Sequence, residues 1–264
     1  MAKIDIIDAA GQGYSFVWQE RLYLAKLALL PILVKLLCYV VIRGAGLEGN
    51  LIMQGIIMLP ALFLYGWMLS HVVRTILLDH RWPFKPTGNI DQDIAALRQR
   101  ALGIMRGTLV FVCTDFIMTG MAGTVMRYAD LSEPKALEQG GTAAIFSAML
   151  GITAVIWLFR FLWLYIPAAV NYPLVDFIKK LAPFSLSFYL IGIWLVSYVP
   201  LLLGFDLVLS MAIVALGLAP ESVAVSMVYD ILRIIVETAL VIITTASITY
   251  GFKQLFQNNK STRA

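Results

Sequence analysis

Six stretches of the chain are apolar over about the 20 residues that a helix needs to cross a bilayer: 23–42, 51–72, 102–122, 143–166, 185–204 and 231–250. Three other patterns are shorter or two-sided. Near the start, Ile4, Ile7, Tyr14, Trp18 and Leu22 recur at helical spacing opposite Asp5, Asp8 and Glu20. This predicts an interfacial amphipathic segment over 1–22, with Gly11 and Gly13 as candidate breaking points. The stretch TGNIDQDIAALRQRALGI repeats the device, with Ile90, Ile94, Leu97 and Ala101 on one stripe, Asn89 as N-cap and Asp91 and Asp93 in the first turn. Both read as surface helices. The run from Leu207 to Leu218 is too short to span, and Asp206 and Pro220 bracket it. It predicts an outer re-entrant or interfacial helix over 205–219; the other reading is the far end of one long span kinked at Pro200.

Charge orients the spans, because Lys and Arg are retained in cytoplasmic loops while acidic residues count for little. With the N-terminus inside, the inner segments carry Lys3, Arg21 and Lys26, then Arg74, Arg81, Lys85, Arg98 and Arg100, then Lys179 and Lys180, then Lys253, Lys260 and Arg263. The outer segments carry Arg43, Arg127 and Lys135. The fold class expected is therefore an all-α, polytopic transmembrane helical bundle of about six spans, a single integral membrane domain over 1–264 with both termini cytoplasmic. No sequence repeat links the first three spans to the last three.

Composition narrows the setting. Hydrophobic residues make up 60% of the chain and charged ones 14%, with a mean hydropathy of +0.84, far from a soluble domain. The expected location is a bacterial cytoplasmic (inner) membrane. A net charge of +4 without a basic, aromatic-laced stretch excludes nucleic acid as partner. Membrane lipids, another membrane protein or a second copy of the chain are the expected partners. Cys38 and Cys113 lie in apolar runs, where a thiol behaves as a small hydrophobe. The N-terminal MAKIDIIDAAGQGYSFVWQER lacks the layout of a removable signal peptide, so the first span is expected to act as the membrane address. Trp82, Trp157, Trp163, Trp194, Tyr128 and Tyr229 fall near predicted boundaries, as interfacial aromatic belts do.

Ionisable groups inside a membrane are costly and are functional candidates by default. Lys26, Arg74, Arg106 and Arg160 lie close enough to the inner boundary for their stems to carry the charge to water. Four residues remain. At about 1.5 Å per residue, Lys35 and Asp115 sit roughly 10 Å below the outer boundary, Glu237 roughly 9 Å and Arg233 roughly 3 Å. They form one intramembrane charged layer of zero formal charge, which predicts that the first, third and sixth spans meet. In a structural arrangement Arg233 pairs with Glu237 at i,i+4 and Asp115 pairs with Lys35 across helices. In a functional one, a carboxylate serves as proton or ion relay. At the inner face Arg98, Arg100, Lys179 and Lys180 are candidate anionic-lipid contacts.

No catalytic residue, cofactor or metal site is expected. His71 and His80 lack further ligands at metal spacing, and neither a nucleophile elbow nor a phosphate-cradling Gly-rich loop occurs. Two segments carry a family likeness: DAAGQGYSFVWQERLYLAKLALLPIL, an amphipathic lead-in to a Pro-containing first span, and FRFLWLYIPAAVNYPLVDFIKKLAPFSLSFYLIGIW, which leaves the membrane at Pro-Ala and re-enters after a polar turn. Together they resemble bacterial six-span inner-membrane proteins related to the glycerophosphodiester phosphodiesterase membrane domain. The resemblance implies a non-catalytic membrane module and transfers no catalytic residue. The expected role is a non-enzymatic scaffold or accessory factor that binds a membrane protein or lipid; the alternative is a small transporter or channel built on the charged layer.

Overall fold

The computed structural model describes residues 4–47, 49–84, 86–128, 153, 156–180, 184–215 and 223–261. Among these the regular structure is entirely helical, and five helices are long and apolar enough to cross a membrane. They are α2 (Arg21–Gly44), α3 (Leu51–Leu78), α4 (Ile90–Tyr128), α7 (Phe184–Ala215) and α8 (Val223–Ser261). Three shorter elements complete the set: α1 (Ile6–Gln19), α5 (Tyr165–Ala169), entered through the tight 3-10 turn Arg160–Trp163, and α6 (Leu174–Lys180). Most of the predicted fourth span, 143–166, lies outside the described residues; its end is the apolar helical stretch Ile156–Ala169.

Local chemistry explains the boundaries. Asp5 caps α1 by accepting from Asp8 N, and Asn50 caps α3 by accepting from Met53 N. Helix α3 stops at Asp79, which takes the left-handed conformation and returns its N–H to the last turn. Asn171 does the same between α5 and α6, at φ 59°, where the chain also closes by Tyr172 N→Pro167 O.

Two central helices organise the bundle. Half of the apolar window of α3 and of α8 is buried, against 22% to 28% for α2, α4 and α7. Helix α3 packs on α2, α4 and α8, and α8 also packs on α7 and α1. Leu33 and Leu37 of α2, Leu109 and Phe116 of α4, and Phe188 and Leu195 of α7 point outward. An apolar outer face of this kind suits hydrocarbon, with every helix satisfying its own backbone.

Three sequence expectations are corrected. The stretch 90–101 is not a separate surface helix: it continues into the third span as one helix of 39 residues, about 58 Å long. Gly103 does not break it, because that glycine and Gly107 form a notch into which α5 fits. A Cβ at Gly103 would stand 2.5 Å from Ala169 O, and one at Gly107 2.9 Å from the Ala169 Cβ, the small-xxx-small geometry of close helix pairs.

The second correction concerns 205–219. Helix α7 runs without interruption through Gly204 to Ala215, so no separate outer helix begins at 205; residues 216–219 lie outside the described set. Pro200 is accommodated inside α7. Its missing N–H frees the Val196 carbonyl, and Tyr14 of α1 reaches that place, donating to Ser197 O at 2.9 Å.

The third concerns α1 itself. Gly11 and Gly13 leave it unbroken; of the predicted stripe Ile4 is buried and Tyr14 half-buried, and a second face of small residues packs as well. Ala9, Ala10 and Gly13 are buried, whereas Ile7 and Trp18 are 70% and 72% exposed. Small residues decide this because they let backbones approach: a Cβ at Gly13 would meet Ser247 N at 2.6 Å and its Cα at 2.7 Å. Helix α1 is thereby fastened to α8 and α7, with Gln254 of α8 bonding Asp5 N at 3.0 Å and the Asp8 carboxylate at 2.8 Å.

Candidate functional site

Helices α2 and α8 run antiparallel, and two ion pairs record their register. Arg43 Nη1 meets Asp230 Oδ2 at 2.9 Å, and Lys35 Nζ meets Glu237 Oε2 at 2.9 Å; eight residues along α2 match seven back along α8. Glu237 is a shared acceptor, since its Oε1 takes Arg233 Nε at 2.8 Å one turn away. The Lys35 side chain is only 14% exposed, and its ammonium lies 5.2 Å from the Tyr65 ring centroid. Tyr65 in turn hydrogen-bonds Thr238, tying α3 to the same turn of α8.

Asp115 stands apart from this chain of charges. The expected Asp115–Lys35 pair does not form, because Lys35 is committed to Glu237. Among the described residues no hydrogen bond or ion pair within 4.0 Å reaches Asp115. Instead Asp115 and Lys35 both line one partly open cavity of about 370 Å³, to which α2, α3, α4, α5, α7 and α8 contribute. Sequence spacing put the four residues in one layer; the structure brings three into contact and turns the fourth toward a void.

The cavity wall is aromatic with isolated polar groups. Trp163, Tyr165, Trp194 and Tyr198 line it, and Trp194 stacks on Tyr198 with centroids 5.2 Å apart. Trp163 and Trp194, expected near the membrane boundaries, are half-buried and line this cavity. Tyr165 spends its hydroxyl on Thr245 at 2.8 Å. Thr244 Oγ1 and Trp163 Nε1 are buried without any hydrogen-bond partner, an expensive state unless something else satisfies them. Sequence reasoning misses these two, because a Thr in an apolar helix reads as bonding its own backbone, as Thr238 and Thr249 indeed do.

The basic residues gather at the opposite end. Arg81 of the α3–α4 connector bonds Glu20 at 2.8 Å, Lys253 of α8 approaches Ile76 O at 3.5 Å, and Arg106 of α4 approaches Asn171 Oδ1 at 3.5 Å. Lys26 and Arg106 are exposed, as snorkelling requires. Arg74 is not: at 2% exposure it turns inward and donates to Ala169 O at 2.7 Å. Arg160 is 9% exposed and lies over the Trp157 and Phe161 rings, 5.0 and 4.8 Å from their centroids.

The residues expected to contact anionic lipid at the inner face sit on two helices, α4 and α6. Arg98 is exposed on α4 and Lys179 on α6, the side chain of Lys180 lies outside the described set, and Arg100 is drawn toward the end of α3. Among the described residues no three His, Cys, Asp or Glu side chains come together at metal-holding distance. No protein-family model, curated protein or solved structure matches the chain.

Proposed function

We propose that the chain is a non-enzymatic, multi-pass protein of a bacterial cytoplasmic membrane, with six spans and both termini cytoplasmic, and that it acts as a small transporter. Its substrate is a small amphipathic solute held in the cavity beside the charged layer. The antiparallel register of α2 and α8 supports an even number of crossings, since the first and last of five would run parallel. The gathering of Arg81, Arg106 and Lys253 at one end supports that end as the cytoplasmic one.

A single observation carries the transport reading. Asp115 is an intramembrane carboxylate whose side chain has no hydrogen bond and no ion pair within 4.0 Å among the described residues, and it opens into a cavity whose walls hold two further unsatisfied polar atoms. A group that served only structure would have been paired, as Glu237 is by two cations. The aromatic wall offers apolar faces to a solute, while Asp115, Thr244 and Trp163 offer the few fixed polar contacts that orient it.

In liposomes, Asp115→Asn is expected to abolish a pH-dependent flux followed with an entrapped pH-sensitive dye. Undiminished flux in that variant would remove Asp115 from the pathway.

A second reading is a scaffold or accessory factor that binds a membrane protein, a lipid or another copy. The closed Lys35–Glu237–Arg233 chain favours it, because three of the four charges are neutralised among themselves. Purification in mild detergent should then recover a specific partner, and Val208→Ser with Met211→Ser, on the exposed face of α7, should weaken its retention. An unchanged partner profile counts against this reading.

A further inference from the structure

We propose that a second site, a pocket of about 180 Å³ to which His71, Arg74, His80, Arg81 and Arg100 contribute beside an equal number of apolar residues, binds a phosphate-bearing anion. The anion is the headgroup of an anionic lipid or a soluble phosphate. The pocket lies where the end of α3, the connector after it and the first half of α4 converge, at the basic end of the bundle. It is independent of the cavity beside Asp115.

Arg74 is the residue that demands an explanation. Its guanidinium is buried, and its partners are neutral: Nη1 donates to Ala169 O at 2.7 Å and Nη2 to His80 Nδ1 at 3.1 Å. A guanidinium has no lone pair to offer, so Nδ1 must be the acceptor and the His80 ring is neutral, with its proton on Nε2. Arg100 arrives from α4, half-buried, with its guanidinium 5.1 Å from the Phe84 ring centroid. Among the described residues neither Arg74 nor Arg100 has a carboxylate within 4.0 Å.

Arg81 is different, because Glu20 at 2.8 Å and Asp79 at 4.0 Å answer its charge. Two positive charges therefore face one small pocket without a counter-charge. Burial holds the His80 imidazole below its ordinary range, and the charges of Arg100 and Arg74 depress it further. An anion in the pocket supplies what is missing: two planar guanidinium forks that match phosphate oxygens, and a neutral His80 whose Nε2–H is free to donate. Two carbonyls near the end of α3, Thr75 O and Arg74 O, are already taken up by Asp79 N and His80 N at 3.1 and 3.2 Å. Trp82, 51% exposed, stands at the rim with the apolar body that a lipid-proximal site uses.

The test uses the full chain, delipidated in an uncharged detergent, and reads thermal stability against added phosphatidylglycerol, phosphatidylcholine or inorganic phosphate. Wild-type protein is expected to gain stability with phosphatidylglycerol and not with phosphatidylcholine. A gain of the same size with inorganic phosphate identifies the soluble source; its absence identifies the headgroup. Arg100→Gln, half-buried and free of backbone bonds, should shift the half-saturating concentration upward by roughly five- to tenfold. Lys26→Gln, an exposed cation on α2, should not. The proposal is overturned if neither anion stabilises the wild type, or if Arg100→Gln responds as the wild type does.

Discussion

Lys35 and Glu237 join α2 to α8 through a single 2.9 Å bond in the apolar part of the bundle. Removing one end leaves the other uncompensated, although Arg233 still holds Glu237 in the case of Lys35. Lys35→Met is therefore expected to cost about 1–3 kcal/mol, less than the full penalty of breaking a sealed pair. A double variant with Glu237→Leu should recover part of that loss in a thermal-unfolding cycle. By contrast, Asp115→Asn breaks no side-chain bond among the described residues and removes an unpaired charge, so it should not lower stability. Loss of flux at undiminished stability is the signature that separates a relay from a structural charge.

Gly11 and Gly13 lie two residues apart in one helix and should respond in opposite directions. Nothing stands within 4 Å of a Cβ at Gly11, so Gly11→Ala is expected to stabilise α1 by about 0.5–1 kcal/mol through helix propensity. Gly13→Ala drives a methyl into the backbone of Ser247 and should destabilise by about 1–3 kcal/mol. Equal melting temperatures for the two variants would contradict the packing of α1 on α8.

Tyr14 serves the backbone next to Pro200. Tyr14→Phe removes the donor to Ser197 O and should cost about 1 kcal/mol. In a Pro200→Ala background the N–H at 200 is restored, Val196 O regains its in-helix partner, and the same substitution should cost less. An identical cost in both backgrounds would show that Tyr14 acts independently of the proline.

The pH dependence of the basic end follows from His80. Its folded pKa is lowered from an ordinary 6.5, by burial first and then by Arg100 and Arg74, while Asp79 pulls the other way. The unfolded chain therefore binds the extra proton first, and stability rises with pH across that interval. Its contribution is complete above about pH 6.5 and is lost as pH falls through the folded value. Melting temperatures taken between about pH 8 and pH 5 should decline on the acid side, and His80→Gln, which can still accept from Arg74, should flatten that part of the curve. A filled anion site opposes the decline, because an anion favours the protonated ring.

Several features are legible along the chain alone. The lengths of the apolar runs set the existence of α2, α3, α4, α7 and α8, since about 20 apolar residues leave a backbone in hydrocarbon no option but helix. Caps such as Asn50 act through bonds three residues away and are readable locally. Arg233 and Glu237, one turn apart on one helix, belong to the same class. The packing faces are where the pattern is silent: the stripe of Ile7 and Trp18 gives no sign that Ala9, Ala10 and Gly13 are buried, and nothing local says that Trp163 and Trp194 line a cavity.

The physical reason is that hydrophobicity sorts inside from outside only where outside is water. When the outer face is as apolar as the core, the packing surfaces are chosen by shape: Ala9, Ala10 and Gly13 against Ser247, and Gly103 and Gly107 against Ala169. Partner choice among charges is decided the same way. Lys35 had two carboxylates at similar depth, and only the antiparallel seating of α2 on α8 gave it Glu237 and left Asp115 facing the cavity. Sequence by itself determined that the chain is a set of long apolar helices with its charges layered at set depths. Tertiary structure alone decided which helix faces met, because close approach depends on the fit of two surfaces that no single stretch of sequence contains.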